Sequence, residues 1–121
     1  MDCPFCNLNR EILASNASAF AVRDAFPVSE GHTLVIPKAH ESSLTSLSNT
    51  DYSRCFDLVR SVTRDLQEKY EADGFNIGVN ICEAAGQTVS HAHIHVIPRY
   101  QGDVSNPRGG VRGVIPEKAD Y

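Results

Sequence analysis

The sequence predicts an α+β fold: an antiparallel sheet of about five strands with one long helix packed on one face. Three observations predict it. Apolar residues recur at steps of three and four over about 50–73, where Tyr52, Cys55, Phe56, Val59, Val62, Leu66 and Tyr70 fall on one helical face. Short runs rich in β-branched and aromatic residues, punctuated by Pro and Gly, stand at 18–23, 32–37, 75–81 and 89–98. The last two runs are joined by a loop too short for a crossover, as an antiparallel pair would be.

Residues 3–14 open with C-x-x-C and continue as a polar–apolar mixture, which predicts a turn and a short helix. SAFAVR (18–23) reads as a strand, DAFPVSEG (24–31) as a Pro/Gly loop, and HTLVIP (32–37) as a second strand. The long helix has a capping signal in Ser48 followed by Asp51, and Gly74 is its expected stop. FNIGVNI (75–81) is a strand, CEAAGQT (82–88) a small-residue loop, and VSHAHIHVIP (89–98) a strand closed by Pro98. The tail, 101–121, has little periodicity, and Gly109, Gly110 and Gly113 mark it as an irregular segment held by docking.

A chain of 121 residues is expected to form one domain, 1–121. Its composition, 41% apolar and 21% charged, excludes a disordered tail, a collagen-like fibre and a coiled coil. No apolar stretch approaches the ~18–20 residues of a membrane span. No basic segment precedes an apolar run at the N-terminus, so no secretory signal is expected and a cytoplasmic location is. The net charge of −4 argues against nucleic-acid or membrane binding, though not against a small anionic ligand held by local donors. Cys3, Cys6, Cys55 and Cys82 are then expected as thiols or metal ligands rather than disulfides.

The chemistry concentrates at His91, His93 and His95. Alternation along a strand puts these side chains on one face and sends Ala92, Ile94 and Val96 into a core on the other. A polar strand face usually draws on Thr, Lys, Glu and Gln as well, so three histidines are a poor match to a merely solvated face. Two uses remain. Imidazoles at i and i+2 can share a metal. Alternatively, one is a nucleophile and a second supplies protons. Ala84, Ala85, Gly86, Gln87 and Thr88 lead straight into the histidines and favour the second use, because small residues let backbone N–H groups reach a phosphate.

HAHIHVIP preceded by GQTVS resembles the histidine-triad (HIT) superfamily. GHTLVIPKAH (31–40), FAVRDAFPVSEG (20–31) and the N-terminal CPFC extend the likeness over roughly 3–100. The resemblance implies a nucleotide hydrolase or transferase whose middle histidine, here His93, attacks the α-phosphorus of a purine nucleotide conjugate. His95 then contacts the phosphate and assists the leaving group. Asp24 matches the residue that hydrogen-bonds the ribose, against a plain reading as a turn-starting aspartate. Asn80, Gly86 and Thr88, with Gln87 beside them, match the phosphate site. Phe5, Leu8, Val22 and Ala25 match the apolar base pocket. The resemblance also implies a homodimer that extends the sheet. Of two substrate classes, a diadenosine polyphosphate is favoured by Pro98 and Arg99 after the triad, with an adenosine phosphoramidate next. Arg99, Arg108 and Arg112 are candidates to meet distal phosphates, against a solvated reading. The alternative function is a nucleotide-binding or scaffold protein with little turnover.

C-x-x-C at Cys3 and Cys6 is half of a tetrahedral metal site or a pair of inert thiols. In metal-bearing relatives the positions matching Cys3, Cys6, His40 and His91 hold a structural zinc, and all four ligand types stand here. His32 is a weaker substitute ligand, expected near the active-site strand. A third reading, a zinc hydrolase using the triad itself as ligands, stays open on the sequence.

Overall fold

The computed structural model describes residues 3–121. Five strands, β1 (Ala14–Ser15), β2 (Ala19–Arg23), β3 (Thr33–Pro37), β4 (Gly74–Gly78) and β5 (Ile94–Arg99), form one antiparallel sheet in the order β1-β2-β3-β5-β4. One helix, α1 (Asn49–Tyr70), crosses a single face of that sheet. The predicted fold class stands.

Two apolar clusters explain why the sheet is covered where it is. On the helix side, Cys55, Leu58, Val59, Val62 and Leu66 pack against Ala19, Ala21, Val35, Ala92, Ile94 and Val96. On the opposite side, Val22, Leu34 and Ile36 pack under Cys3 and Phe5 of the N-terminal segment. The two-residue period of β2 and β3 deals alternate side chains to the two clusters. All five residues of β3 are buried as a result. Ala92, Ile94 and Val96 do face the helix, as the alternation predicts.

Ser48 caps α1 as expected, its hydroxyl accepting from the Asp51 N–H at 3.1 Å. The helix stops three residues short of the predicted end. Glu71 takes the left-handed conformation (φ 53°), and the Gln67 side chain donates to the Ala72 carbonyl at 2.7 Å. Burial of Ala72 pulls the chain inward there, so Gly74 opens β4 instead of closing α1.

Other boundaries also need correction. Residues 3–14 form turns with no helix, and the fifth strand is the two-residue β1 at their end. The predicted strand at 75–81 stops at Gly78, and that at 89–98 starts only at Ile94. Val35↔Ile94 is the last pair between β3 and β5. Continuing the ladder would set Pro37 against Ala92, and proline has no N–H to give. The Ala92 N–H goes to the Glu41 carbonyl instead, at 2.8 Å. His91 and His93 therefore leave the sheet at its rim, where side chains of the N-terminal segment reach them.

The tail folds back as two short 3-10 turns, Gly110–Val114 and Pro116–Lys118. Gly109 (φ 90°) has to be glycine, because a Cβ there would collide with the Ala119 carbonyl. Arg112 donates to the Lys118 carbonyl and lies over the Tyr121 ring, and Arg108 pairs with Asp120. Arg99 grips both oxygens of Asp103 at 2.8 Å and donates to Asn76. None of the three arginines is held toward the triad.

Candidate functional site

His93 is the residue just before β5, and it is buried. Its Nδ1 lies 2.8 Å from the His91 carbonyl oxygen. A carbonyl only accepts, so Nδ1 carries the proton. The neutral ring then presents a lone pair at Nε2. The Phe5 ring stands edge-on to it, with centroids 5.0 Å apart, and fixes the imidazole plane.

His95 is set by a different chain of bonds. The Val28 N–H donates to His32 Nδ1 at 3.1 Å, so His32, when neutral, carries its proton on Nε2. That Nε2 lies 2.9 Å from His95 Nδ1 and 3.4 Å from Asp24 Oδ2. His95 Nδ1 thus accepts, and the proton of neutral His95 sits on its Nε2. The two triad rings have opposite tautomers: His93 offers a lone pair where His95 offers an N–H. Burial lowers the pKa of both His32 and His95. Histidine neighbours push His95 the same way, while Asp24 pulls both upward.

These groups meet a cavity of about 540 Å³. It brings together the predicted residues Phe5, Asp24, Ala25, Asn80, Gly86, Thr88, His93 and His95. Leu8 and Val22 do not reach it. Val22 is fully buried in the cluster beneath Phe5, with Leu8 packed beside it. Gln87 is also off the cavity wall. Its amide accepts from the Cys82 N–H at 2.9 Å and donates to the Ser42 and Val89 carbonyls. That makes it a brace for the loop. The same loop narrows the expected backbone donors. The Gly86 and Gln87 N–H groups are spent on the Glu83 and Cys82 carbonyls, whereas Thr88 makes no backbone turn bond among the described residues. Gly86 turns the chain at φ 96°. Asp24 Oδ1 accepts from the Phe26 N–H at 2.8 Å, which is a turn-starting role, and its Oδ2 faces the histidines.

The cavity also recruits Arg10, Phe26 and Val28, which the sequence did not single out, and His32, which the sequence placed near the active-site strand without a role in the site. Arg10 donates to the Arg23 carbonyl. For His32 the one available signal was its place, opening the strand two residues from Leu34, which pairs with His95.

A second cluster lies behind Phe5. Cys3 Sγ is 3.4 Å from His91 Nδ1, and Cys6 Sγ is 3.2 Å from His40 Nδ1 and 3.6 Å from His91 Nδ1. The two Nδ1 atoms are 3.1 Å apart. Ligand atoms of a tetrahedral zinc with ordinary Zn–S and Zn–N bonds stand about 3.3–3.8 Å from one another. His91 Nε2 donates to the Pro37 carbonyl at 2.8 Å, which leaves Nδ1 bare toward the thiols. A backbone carbonyl behind a ligating imidazole is the usual outer support of such a site. The four residues fit zinc.

Asp24, His32 and His95 are also close enough to share an ion. The Val28 N–H speaks against it, because it fills the nitrogen that would need a proton if His32 Nε2 were to bind metal. The triad does not converge on one ion either. His91 belongs to the thiol cluster and His95 to the other, and no group of possible ligands among the described residues contains His93.

Comparison with known proteins agrees with this architecture. The HIT domain family model matches residues 7–102. An uncharacterized 16.1 kDa HIT-like protein of Mycoplasma pneumoniae is 38% identical over 83% of this chain and 73% of its own. Adenylylsulfatase HINT3 of Arabidopsis thaliana is 33% identical over 84% of this chain and 54% of its own. The asymmetrical bis(5'-nucleosyl)-tetraphosphatase of Schizosaccharomyces pombe is 38% identical over 65% of this chain, which spans 43% of that enzyme. Among solved structures, a HIT family protein from Bacillus anthracis superposes with a TM-score of 0.80 at 30% identity, covering 97% of this chain and 89% of that one. A Zn-bound histidine triad family protein from Mycobacterium smegmatis superposes at 0.79 with 34% identity, covering 86% and 79%.

Proposed function

This chain belongs to the HIT domain family, and on that premise we propose that it cleaves purine nucleotide conjugates at the α-phosphorus through a nucleotidyl intermediate on His93. The observation that carries the reading is the His93 Nδ1–H···O=C bond to His91, which leaves Nε2 as an electron pair at the cavity. The two enzyme relatives support the reaction class.

Binding comes first. Phe5 and Ala25 offer apolar surface to the base, and Asp24 Oδ2 accepts from a ribose hydroxyl. Thr88 and Asn80 donate to the nonbridging oxygens, where charge builds up in the transition state. His93 Nε2 then attacks phosphorus. The new P–N bond forms as the bond to the leaving group breaks. His95 enters this step as the imidazolium, gives its Nε2–H proton to the departing atom and returns to the neutral ring, its other proton staying on Nδ1 on the side of Asp24 Oδ2. In the second half, His95 takes a proton from water. The oxygen attacks phosphorus, the P–N bond breaks, and His93 regains its lone pair.

Cys3, Cys6, His40 and His91 would hold a zinc ion. Four protein ligands leave no open position, so the ion supplies a cross-link and no reaction step. It ties the N-terminal segment carrying Phe5 to the chain that presents His93. A second copy is proposed along the outer edge of β4, the end strand of the sheet opposite β1.

The test is His93→Ala. Turnover of an adenylyl conjugate should vanish, while AMP affinity stays within about tenfold of the parent, because the ring bonds to phosphorus only during reaction. Surviving turnover would remove His93 from this role.

A further inference from the structure

The four residues of the thiol cluster divide by origin. The N-terminal segment contributes the two thiols, Cys3 and Cys6, and the chain flanking β3 and β5 contributes the two imidazoles, His40 and His91. The thiols are also the segment's polar tether. Among the described residues, 3–9 make no hydrogen bond to the rest of the chain except through the two sulfurs, to His40 and His91. The next tie is Arg10, which donates to the Arg23 carbonyl. Phe5 stands between the two cysteines in sequence, and its ring lies against His91 and His93, with centroids 5.9 and 5.0 Å away.

One class of reagent acts on this division. A peroxide oxidises thiolate sulfur, and a neighbouring thiol resolves the product to a disulfide. Cys6 is exposed and Cys3 is buried, so one sulfur meets the reagent and the other waits behind it. The pair spans a turn closed by the Cys6 N–H on the Cys3 carbonyl at 3.2 Å, with Pro4 in its second position. Such a turn holds its first and fourth Cα atoms within about 7 Å, and disulfides join Cα atoms about 4.4–6.8 Å apart. The two sulfurs lie within 4.8 Å of each other and can join without unfolding the turn.

We propose that Cys3 and Cys6 are a peroxide-reactive pair whose oxidation releases the N-terminal segment from the site. The Cys6 thiolate attacks a peroxide oxygen. The O–O bond breaks, Cys6 becomes a sulfenic acid, and the other oxygen takes a proton and leaves as water or an alcohol. The Cys3 thiolate then attacks the Cys6 sulfur. The S–S bond forms, the S–O bond breaks, and that oxygen leaves as water with a second proton. The two sulfurs together give up two electrons, and the peroxide takes them. Both thiol ligands are lost at once. His40 and His91 alone fall two ligands short of a closed site, so the cross-link goes with them. Joining the sulfurs also draws them from the roughly 3.8 Å of a shared ion to about 2 Å, which turns Pro4 and Phe5 between them. Phe5 then no longer fixes the His93 plane. The resulting loss of turnover rests on the reading of His93 given above.

The test treats zinc-loaded Cys82→Ser protein, which lacks the other exposed thiol, with hydrogen peroxide. A chromophoric chelator should report about one zinc released per chain. The denatured chain should lose about 2 Da, mapped to a Cys3–Cys6 disulfide. Turnover of an adenylyl conjugate should fall about tenfold or more, the scale on which a displaced positioning group acts. A thiol reductant with added zinc should reverse all three changes. A chain that binds no zinc, zinc retained on reduced thiols, or release with a sulfinic acid in place of the disulfide overturns the pair. A disulfide with undiminished turnover overturns its coupling to the site through Phe5. Reduced protein that turns over nothing overturns the His93 reading alone, while zinc release and the disulfide still decide the pair.

Discussion

Two clusters of ring nitrogens lie on either side of Phe5 and His93, and by distance alone both pass as metal sites. Cys3, Cys6, His40 and His91 form one; Asp24, His32 and His95 form the other. What separates them is a single backbone group behind each buried imidazole. Behind His91 stands a carbonyl, from Pro37, which takes the ring proton and turns a bare nitrogen toward the thiols. Behind His32 stands an N–H, from Val28, which fills one nitrogen and sends the ring proton toward His95. A carbonyl prepares a histidine to bind a cation, and an amide N–H prepares it to donate a proton. Side-chain identity decides neither.

The largest expected effect comes from attacking the first cluster. Purified protein should carry about one zinc per chain by elemental analysis, as a closed four-ligand site requires. Cys6→Ser, or strong chelation, should lower the melting temperature by roughly 10 °C or more, as losing a few kcal/mol does in a domain this size. Chelation that stopped turnover while leaving the melting temperature unchanged would point to a catalytic ion and reverse the assignment of the two clusters.

The second cluster should respond in rate. His32→Ala removes the partner that fixes the His95 tautomer. A kcat loss of about 10–100-fold is expected, with AMP affinity nearly unchanged and the acid limb of the pH–rate profile displaced. A change confined to KM would mean that His32 shapes binding and does not position the proton.

Acid should sharpen the contrast. His32 and His95 are held below the ordinary histidine value by burial. A native pKa below the unfolded one means the unfolded chain binds protons first. The stability they contribute is therefore complete above about pH 6.5 and is lost as pH falls through the lowered native values. Urea midpoints measured from pH 8 to pH 5 should fall on the acid side, and His32→Gln should flatten that fall.

The smallest effect is expected at Gln87. Gln87→Ala frees the loop from the Ser42 and Val89 carbonyls and should raise KM only a few-fold, with kcat/KM for different nucleobases falling in parallel. A base-dependent loss would show direct contact with the substrate instead.

Much of this was legible in the sequence, and the rest was hidden for identifiable reasons. The helix, the strand order of the closing pair and the facing of Ala92, Ile94 and Val96 follow from local periodicity, which survives folding. The thiol cluster followed from the resemblance to metal-bearing relatives, since C-x-x-C by itself supplied only Cys3 and Cys6 and left His40 and His91 unassigned. The start of β5 was misplaced because Pro37, the residue that ends its ladder, lies on another strand. His32 was expected near the active-site strand but given no role there, because its role comes from His95, 63 positions away, and from a backbone N–H that no residue name reveals. Val22 and Gln87 have side-chain types suited to a binding pocket, yet one is sealed beneath Phe5 and the other is tied to main-chain carbonyls.

The central claim is that His93 Nε2 bonds to phosphorus. The direct measurement is to mix the protein with an adenylyl conjugate, quench in alkali to spare an acid-labile P–N bond, and map the adduct by mass spectrometry. An adenylyl group on the His93 side chain, absent from His93→Ala, is the predicted result. An adduct on another residue, or full turnover by His93→Ala, would contradict it.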